Sequence, residues 1–138
     1  MTDNELCTAA LKAMTFAYVP YSGYKVGAAL LCADGSVYTG CNIENASFSP
    51  TVCAERTAFF KAVSEGKMEF VKIAVCGGKD GSIRGAFPPC GVCRQVMAEF
   101  CNPDFEILMI TSSDDVPGFK SVSLSDLLPF SFNNSYMD

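Results

Sequence analysis

The stretch PPCGVCRQVMAEFCNPDFEILMIT, Pro88 to Thr111, changes its hydrophobic period partway along. Pro88-Pro89 suits the opening of a helix, where a missing N–H removes no bond. Cys90, Val92, Val96, Met97 and Phe100 follow at helical spacing, and Asn102-Pro103 stops the run. Ile107 to Thr111 is then a short, unbroken apolar segment of buried-strand length. A similar segment, Val71 to Cys76, lies upstream across a Gly-rich loop from Gly77 to Phe87. Strand, helix, strand is therefore the local order.

The same order extends in both directions. A helix begins near Val52, presents Ala54, Ala58, Phe59 and Ala62 on one face and ends at Gly66, which suits a C-terminal cap. Before it, Val26 to Ala33 and Ser36 to Cys41 flank Asp34-Gly35 and read as a hairpin. The chain opens with a helix from Glu5 to Ala17, capped by Thr2 or Asp3 and ended by Pro20. Phe119 to Val122 reads as a last strand before a short helix near Asp126. The expected fold is α/β, a three-layer α-β-α sandwich around a mixed sheet of about five strands, in one domain over 1–138.

With 138 residues and 49% hydrophobic, the chain can bury a substantial core. A net charge of −5 argues against polynucleotides as partners. No apolar run nears the roughly 18 residues a bilayer crossing needs. No leader-like start is present, so a cytoplasmic protein with reduced thiols is expected, and a membrane is not an expected partner. Histidine is absent, which removes His-dependent triads and leaves thiolates or carboxylates as metal ligands. Of the eight cysteines, Cys7, Cys32, Cys41 and Cys76 sit in apolar runs and are read as core.

Cys90 and Cys93 stand at i and i+3 on the first turn of one helix, and Cys53 opens the other. The positive end of a helix dipole favours thiolate in both places. Should those helix starts adjoin, three sulfurs meet, which suits zinc with a fourth position open for water. Glu55 can then take the water's proton as general base and return it as general acid. Arg56 can offset the excess negative charge of three thiolates on one divalent ion. Two other readings stand beside this one. A structural zinc would take Cys41, Cys76 or Cys101 as a fourth ligand, and a C-x-x-C redox pair would leave Cys53 and Glu55 without a role.

Cys-Ala-Glu followed by Pro-Cys-x-x-Cys resembles the signature of zinc deaminases. PYSGYKVGAALL, GCNIENASF, CAERTAFFKAVSEG, PCGVCRQV and LLPFSF together make the chain, from Leu6 to Phe132, resemble the small cytidine deaminases. This resemblance implies zinc-dependent hydrolytic deamination of cytidine and 2′-deoxycytidine, with ammonia released, in pyrimidine salvage. It implies one zinc per subunit on Cys53, Cys90 and Cys93, and zinc-activated water attacking C4 with Glu55 as proton shuttle. It also implies that Asn42 and Glu44 hold the ribose 3′-hydroxyl, which without the resemblance would be an ordinary polar loop. The Ala54 N–H would bind the pyrimidine C2 carbonyl. A homotetramer is implied by the short, three-cysteine type of chain, with Phe132 entering a neighbour's site or else packing on its own subunit.

Three positions depart from the family pattern. Tyr24 replaces a Phe that stacks near the base, Pro88 replaces a Ser whose carbonyl faces the leaving amine, and Phe48 replaces a common Tyr. None of these removes a catalytic group. Competing functions are a deaminase of a different aminopyrimidine such as a nucleoside antibiotic, a zinc-stabilised interaction module without turnover, and a polynucleotide editor.

Overall fold

The computed structural model describes residues 1–137, so Asp138, the last residue of the expected domain, lies outside the described part. Helix α1 covers Asp3–Met14, followed by strands β1 (Tyr24–Cys32) and β2 (Val37–Cys41). Helix α2 (Ala54–Ser64), strand β3 (Phe70–Lys79), helix α3 (Gly91–Phe100) and strand β4 (Glu106–Ile110) come next. Strand β5 (Phe119–Ser123), helix α4 (Leu124–Leu127) and a 3₁₀ turn at Asn134–Met137 complete the order. The five strands lie as β2-β1-β3-β4-β5, with β3 and β4 parallel and every other pair antiparallel. The expected α/β sandwich with a mixed sheet is what the chain forms.

Strand parity sorts the core into two layers, because successive side chains point to opposite faces. Val26, Ala28 and Leu30 of β1, Ile73 and Val75 of β3, and Ile107 and Met109 of β4 pack with Ala58 and Phe59 of α2 and Met97 of α3. The alternate residues Ala29, Ala74, Cys76, Leu108 and Ile110 pack against Leu6, Cys7, Ala10 and Met14 of α1. Each helix layer comes close to the sheet over a glycine. A Cβ on Gly27 would stand 2.2 Å from the Ala10 carbonyl oxygen of α1, and one on Gly40 would stand 2.4 Å from the Ala54 carbonyl oxygen of α2.

Some element ends differ from the sequence expectation. Helix α1 stops at Met14, and Thr15, Phe16 and Ala17 continue as a tighter turn with bonds to Lys12, Ala13 and Met14. Thr2 is its cap, accepting from the Glu5 N–H. Helix α2 ends as expected at Gly66, where φ is +87° and the Gly66 and Lys67 amides bond back to Val63 and Ala62. The loop expected from Gly77 instead begins after Lys79. Pairing of Gly77, Gly78 and Lys79 with Val26, Lys25 and Tyr24 extends β3 and outweighs the poor strand propensity of glycine. The Phe87 ring lies where a Gly77 side chain would be, so that glycine admits the returning loop. Among the described residues no helix is long and apolar enough to cross a membrane.

Candidate metal centre

Helices α2 and α3 lie on the same face of the sheet, and their starts come together. Cys53 is the N-cap of α2 and Cys90 the N-cap of α3, both with extended backbone and neither using its side chain to cap the helix. A Ser or Asp at these places would spend its oxygen on a free N–H of the first turn. The two sulfurs remain available, and Cys93 brings a third from the first turn of α3.

Cys53 Sγ lies 3.6 Å from Cys90 Sγ, which lies 3.5 Å from Cys93 Sγ. All three sulfurs are within 4.8 Å of one another. Tetrahedral zinc with Zn–S bonds of about 2.3 Å sets its sulfurs about 3.8 Å apart, close to the spacing of the Cys53–Cys90 and Cys90–Cys93 pairs, so this donor set fits that ion. The group closes at three. Among the described residues no further Cys, Asp or Glu joins it, so Cys41, Cys76 and Cys101 do not supply the fourth ligand of a structural site. Cys76 is fully buried in the α1 layer, Cys101 packs at the edge of the α2 and α3 layer, and Cys41 is only half-buried, short of the core position expected for it.

The charges around the sulfurs follow from these contacts. The neighbouring Cys93 thiol, followed by the Arg56 guanidinium, holds Cys53 below the ordinary thiol range. The same proximity, together with burial, raises Cys93. Arg56 Nη2 donates to Cys53 Sγ at 3.3 Å, as charge compensation requires. Glu55 is only 2% exposed, and burial pushes its carboxyl up to about 7. Its Oε1 is buried with no hydrogen-bond partner. A buried carboxylate oxygen left unpaired beside three thiols is a costly arrangement in a protein that has no use for it.

Asn42 and Glu44 reach this corner through backbone pairing. Ile43, between them, exchanges two backbone hydrogen bonds with Val52, the residue before Cys53. Asn42 Oδ1 accepts from the Val26 N–H at 2.9 Å, and its Nδ2 donates to the Tyr24 carbonyl at 2.8 Å. Glu44 accepts from the Tyr21 and Ser22 amides and from the Ser22 hydroxyl. Tyr24 is half-exposed, with Lys79 Nζ 5.7 Å from its ring centre. Ala54 is buried at the first position of α2, where an N–H has no acceptor within the helix. Phe132 is 62% exposed; its ring stacks on Tyr136 at 5.4 Å and its carbonyl accepts from Gln95 Nε2. Phe48 is exposed.

Two participating residues escape a reading of the sequence. Arg94 donates from Nε to the Pro89 carbonyl and from Nη1 to the Leu127 carbonyl, fixing the turn that carries Cys90 against the end of α4. Ser22 holds Glu44. A polar residue directly after Pro20-Tyr21 is the only signal the sequence offers for the second, and nothing in it points to a partner 22 residues away.

Comparison with known proteins agrees with this geometry. The family described as "Cytidine and deoxycytidylate deaminase zinc-binding region" matches residues 1–109. A cytidine deaminase of Halalkalibacterium halodurans is 47% identical over 138 residues, covering 100% of this chain and 99% of its own. One from Sporosarcina psychrophila is 46% identical over 133 residues, 96% of this chain and 93% of its own. The crystal structure of a cytidine deaminase from Burkholderia pseudomallei superposes with a TM-score of 0.85 at 46% identity, covering 96% of this chain and all of that one.

Proposed function

The chain belongs to the cytidine and deoxycytidylate deaminase zinc-binding family, and on that premise we propose that it hydrolyses cytidine and 2′-deoxycytidine to the uridine nucleosides and ammonia, as a step of pyrimidine salvage. The observation that carries this reading is the closed group of three sulfurs beside the buried, unpartnered Glu55 Oε1.

Zinc held by Cys53, Cys90 and Cys93 would supply Lewis-acid activation of water at this corner. Glu55 accepts a proton from the attacking water and delivers it to ring N3, which makes C4 electrophilic; it then takes the remaining proton of the new C4 hydroxyl and gives it to the departing amine, which leaves as ammonia. Its raised carboxyl suits both directions of transfer near neutral pH. The Ala54 N–H orients the base through the C2 carbonyl, while the Pro88 carbonyl faces the amine that leaves. Asn42 and Glu44 hold the 3′-hydroxyl of the sugar, and Tyr24 lies against the base. Arg56 offsets the negative charge on the sulfurs, which keeps the centre electrophilic.

The same reading takes the 138 residues as one domain, working in the cytoplasm as a homotetramer. Phe16, Phe60 and Phe132 are large apolar side chains left exposed on the single chain, as surfaces awaiting other subunits would be. Phe132 then completes a neighbour's site.

Glu55→Gln tests the central claim. The variant should bind zinc as the parent does and lose at least about a thousandfold in kcat on cytidine, followed by the ultraviolet change on deamination and by ammonia release. Undiminished turnover would remove Glu55 from the reaction. Turnover of free cytosine or cytidylate, but of neither nucleoside, would overturn the assignment of the sugar residues.

A further inference from the structure

Glu44 is unusually constrained for a half-exposed carboxylate. Oε1 accepts from the backbone N–H groups of Tyr21 and Ser22, each at 3.1 Å, and Oε2 accepts from the Ser22 hydroxyl. A carboxylate has about four acceptor positions, so these three donors leave one, on Oε2. The hydroxyl that fills the third is itself held in orientation, because Ser22 Oγ accepts from the Tyr24 N–H at 3.0 Å, which directs its own hydrogen towards Glu44. The loop bearing Ser22 is anchored in turn. Lys79 Nζ donates to the Ser22 carbonyl at 2.8 Å and the Asp80 N–H donates to the Gly23 carbonyl at 2.7 Å.

We infer that Ser22 is a positioning residue of the sugar site, fixing the Glu44 carboxylate in one rotamer, as an acceptor only, with a single vacant position for a substrate hydroxyl. This rests on the reading of Glu44 given above and extends it. Ser22 also joins the two halves of the site. Its hydroxyl bonds both Glu44 and the Tyr24 amide, and the Tyr24 carbonyl is bonded by Asn42, so the residues assigned to sugar and base form one hydrogen-bonded ring. The bonds from Ser22 hold the Glu44 carboxyl below the usual carboxylate range, so it stays ionised and cannot donate. A site of this kind selects a ligand that donates a hydroxyl hydrogen and discriminates against one that lacks it, because the prepared acceptor would be left unpaired.

The test compares the parent, Ser22→Ala, Ser22→Thr and Glu44→Gln as full chains, assayed on cytidine and on 3′-deoxycytidine, with zinc content and thermal unfolding measured alongside. Ser22→Ala should raise KM for cytidine by about tenfold, with kcat changed less than KM, and should move kcat/KM for 3′-deoxycytidine by no more than about twofold. Ser22→Thr, which retains the hydroxyl, should recover most of the lost affinity for cytidine. Equal losses on both nucleosides would reduce Ser22 to a general structural role and overturn the inference. So would an unchanged KM for cytidine in Ser22→Ala when Glu44→Gln raises it. A different result, in which Glu44→Gln itself leaves the ratio between the two nucleosides untouched, would refute the sugar role of Glu44 and the inference with it.

Discussion

The two faces of the sheet are built alike and behave differently. On one, α1 lies over Gly27; on the other, α2 lies over Gly40; cysteines are present on both. Cys7 and Cys76, in the α1 layer, are fully buried, and burial pushes their thiols up to about 11 and about 12. They act as small apolar side chains. Cys53, Cys90 and Cys93 are at helix starts and their sulfurs meet, and the Arg56 guanidinium favours the thiolate of Cys53. The difference lies in where along its element each cysteine falls: Cys7 and Cys76, within a helix and a strand, are packed into the core, whereas Cys53 and Cys90 at N-caps and Cys93 in a first turn lie at the positive end of a helix dipole.

Replacing the cysteines one at a time breaks this comparison most sharply. Cys90→Ala should abolish stoichiometric zinc binding and reduce cytidine turnover by at least about a thousandfold, as measured by metal analysis and a deamination assay. Retention of both would mean that two sulfurs suffice and that the closed group of three has been misread.

The two glycines supply an intermediate effect that separates packing from chemistry. Added methyl groups at Gly27 or Gly40 would meet helix backbone at 2.2 Å or 2.4 Å, distances that no rotamer change relieves. Gly27→Ala and Gly40→Ala should each destabilise the fold by about 2–3 kcal/mol, as read from denaturant unfolding. Only Gly40→Ala displaces the turn after Cys53, so it alone should also weaken zinc binding, by about tenfold. Equal zinc affinity in the two variants would show that the metal corner tolerates movement of α2.

Much of this was legible in the sequence because two patterns do not overlap. Short unbroken apolar segments and helical runs gave the order of elements, and the C-x-x-C with Cys53 marked the three sulfurs that meet. The extension of β3 through Gly77 and Gly78 was not legible, since it depends on the partner strand rather than on local propensity. The exact helix starts were not legible either: Val52 and Pro88 satisfy the local rules, but the backbone stays extended through Cys53 and Cys90, and the helices begin at Ala54 and Gly91. The clasp of Ser22 on Glu44 was hidden for the same reason as the glycine contacts, because each joins segments far apart in the chain. Local pattern fixes which residues could act, while long-range packing decides which of them meet.

The smallest effect belongs to the buried thiols. Cys76 Sγ lies 3.8 Å from Met14 Sδ and 3.7 Å from the Gly27 carbonyl oxygen, so its contacts are with the α1 layer and with the backbone of β1. Cys76→Ala removes one buried sulfur and leaves a space smaller than a typical Leu→Ala cavity, for a loss of about 1 kcal/mol in stability. Zinc content and turnover should equal the parent's, because Cys76 touches neither a ligand nor the Glu44 ring of hydrogen bonds. Loss of zinc from this variant would couple the two faces through the sheet, and the division between inert and reactive cysteines would then have to be drawn by something other than position along a helix.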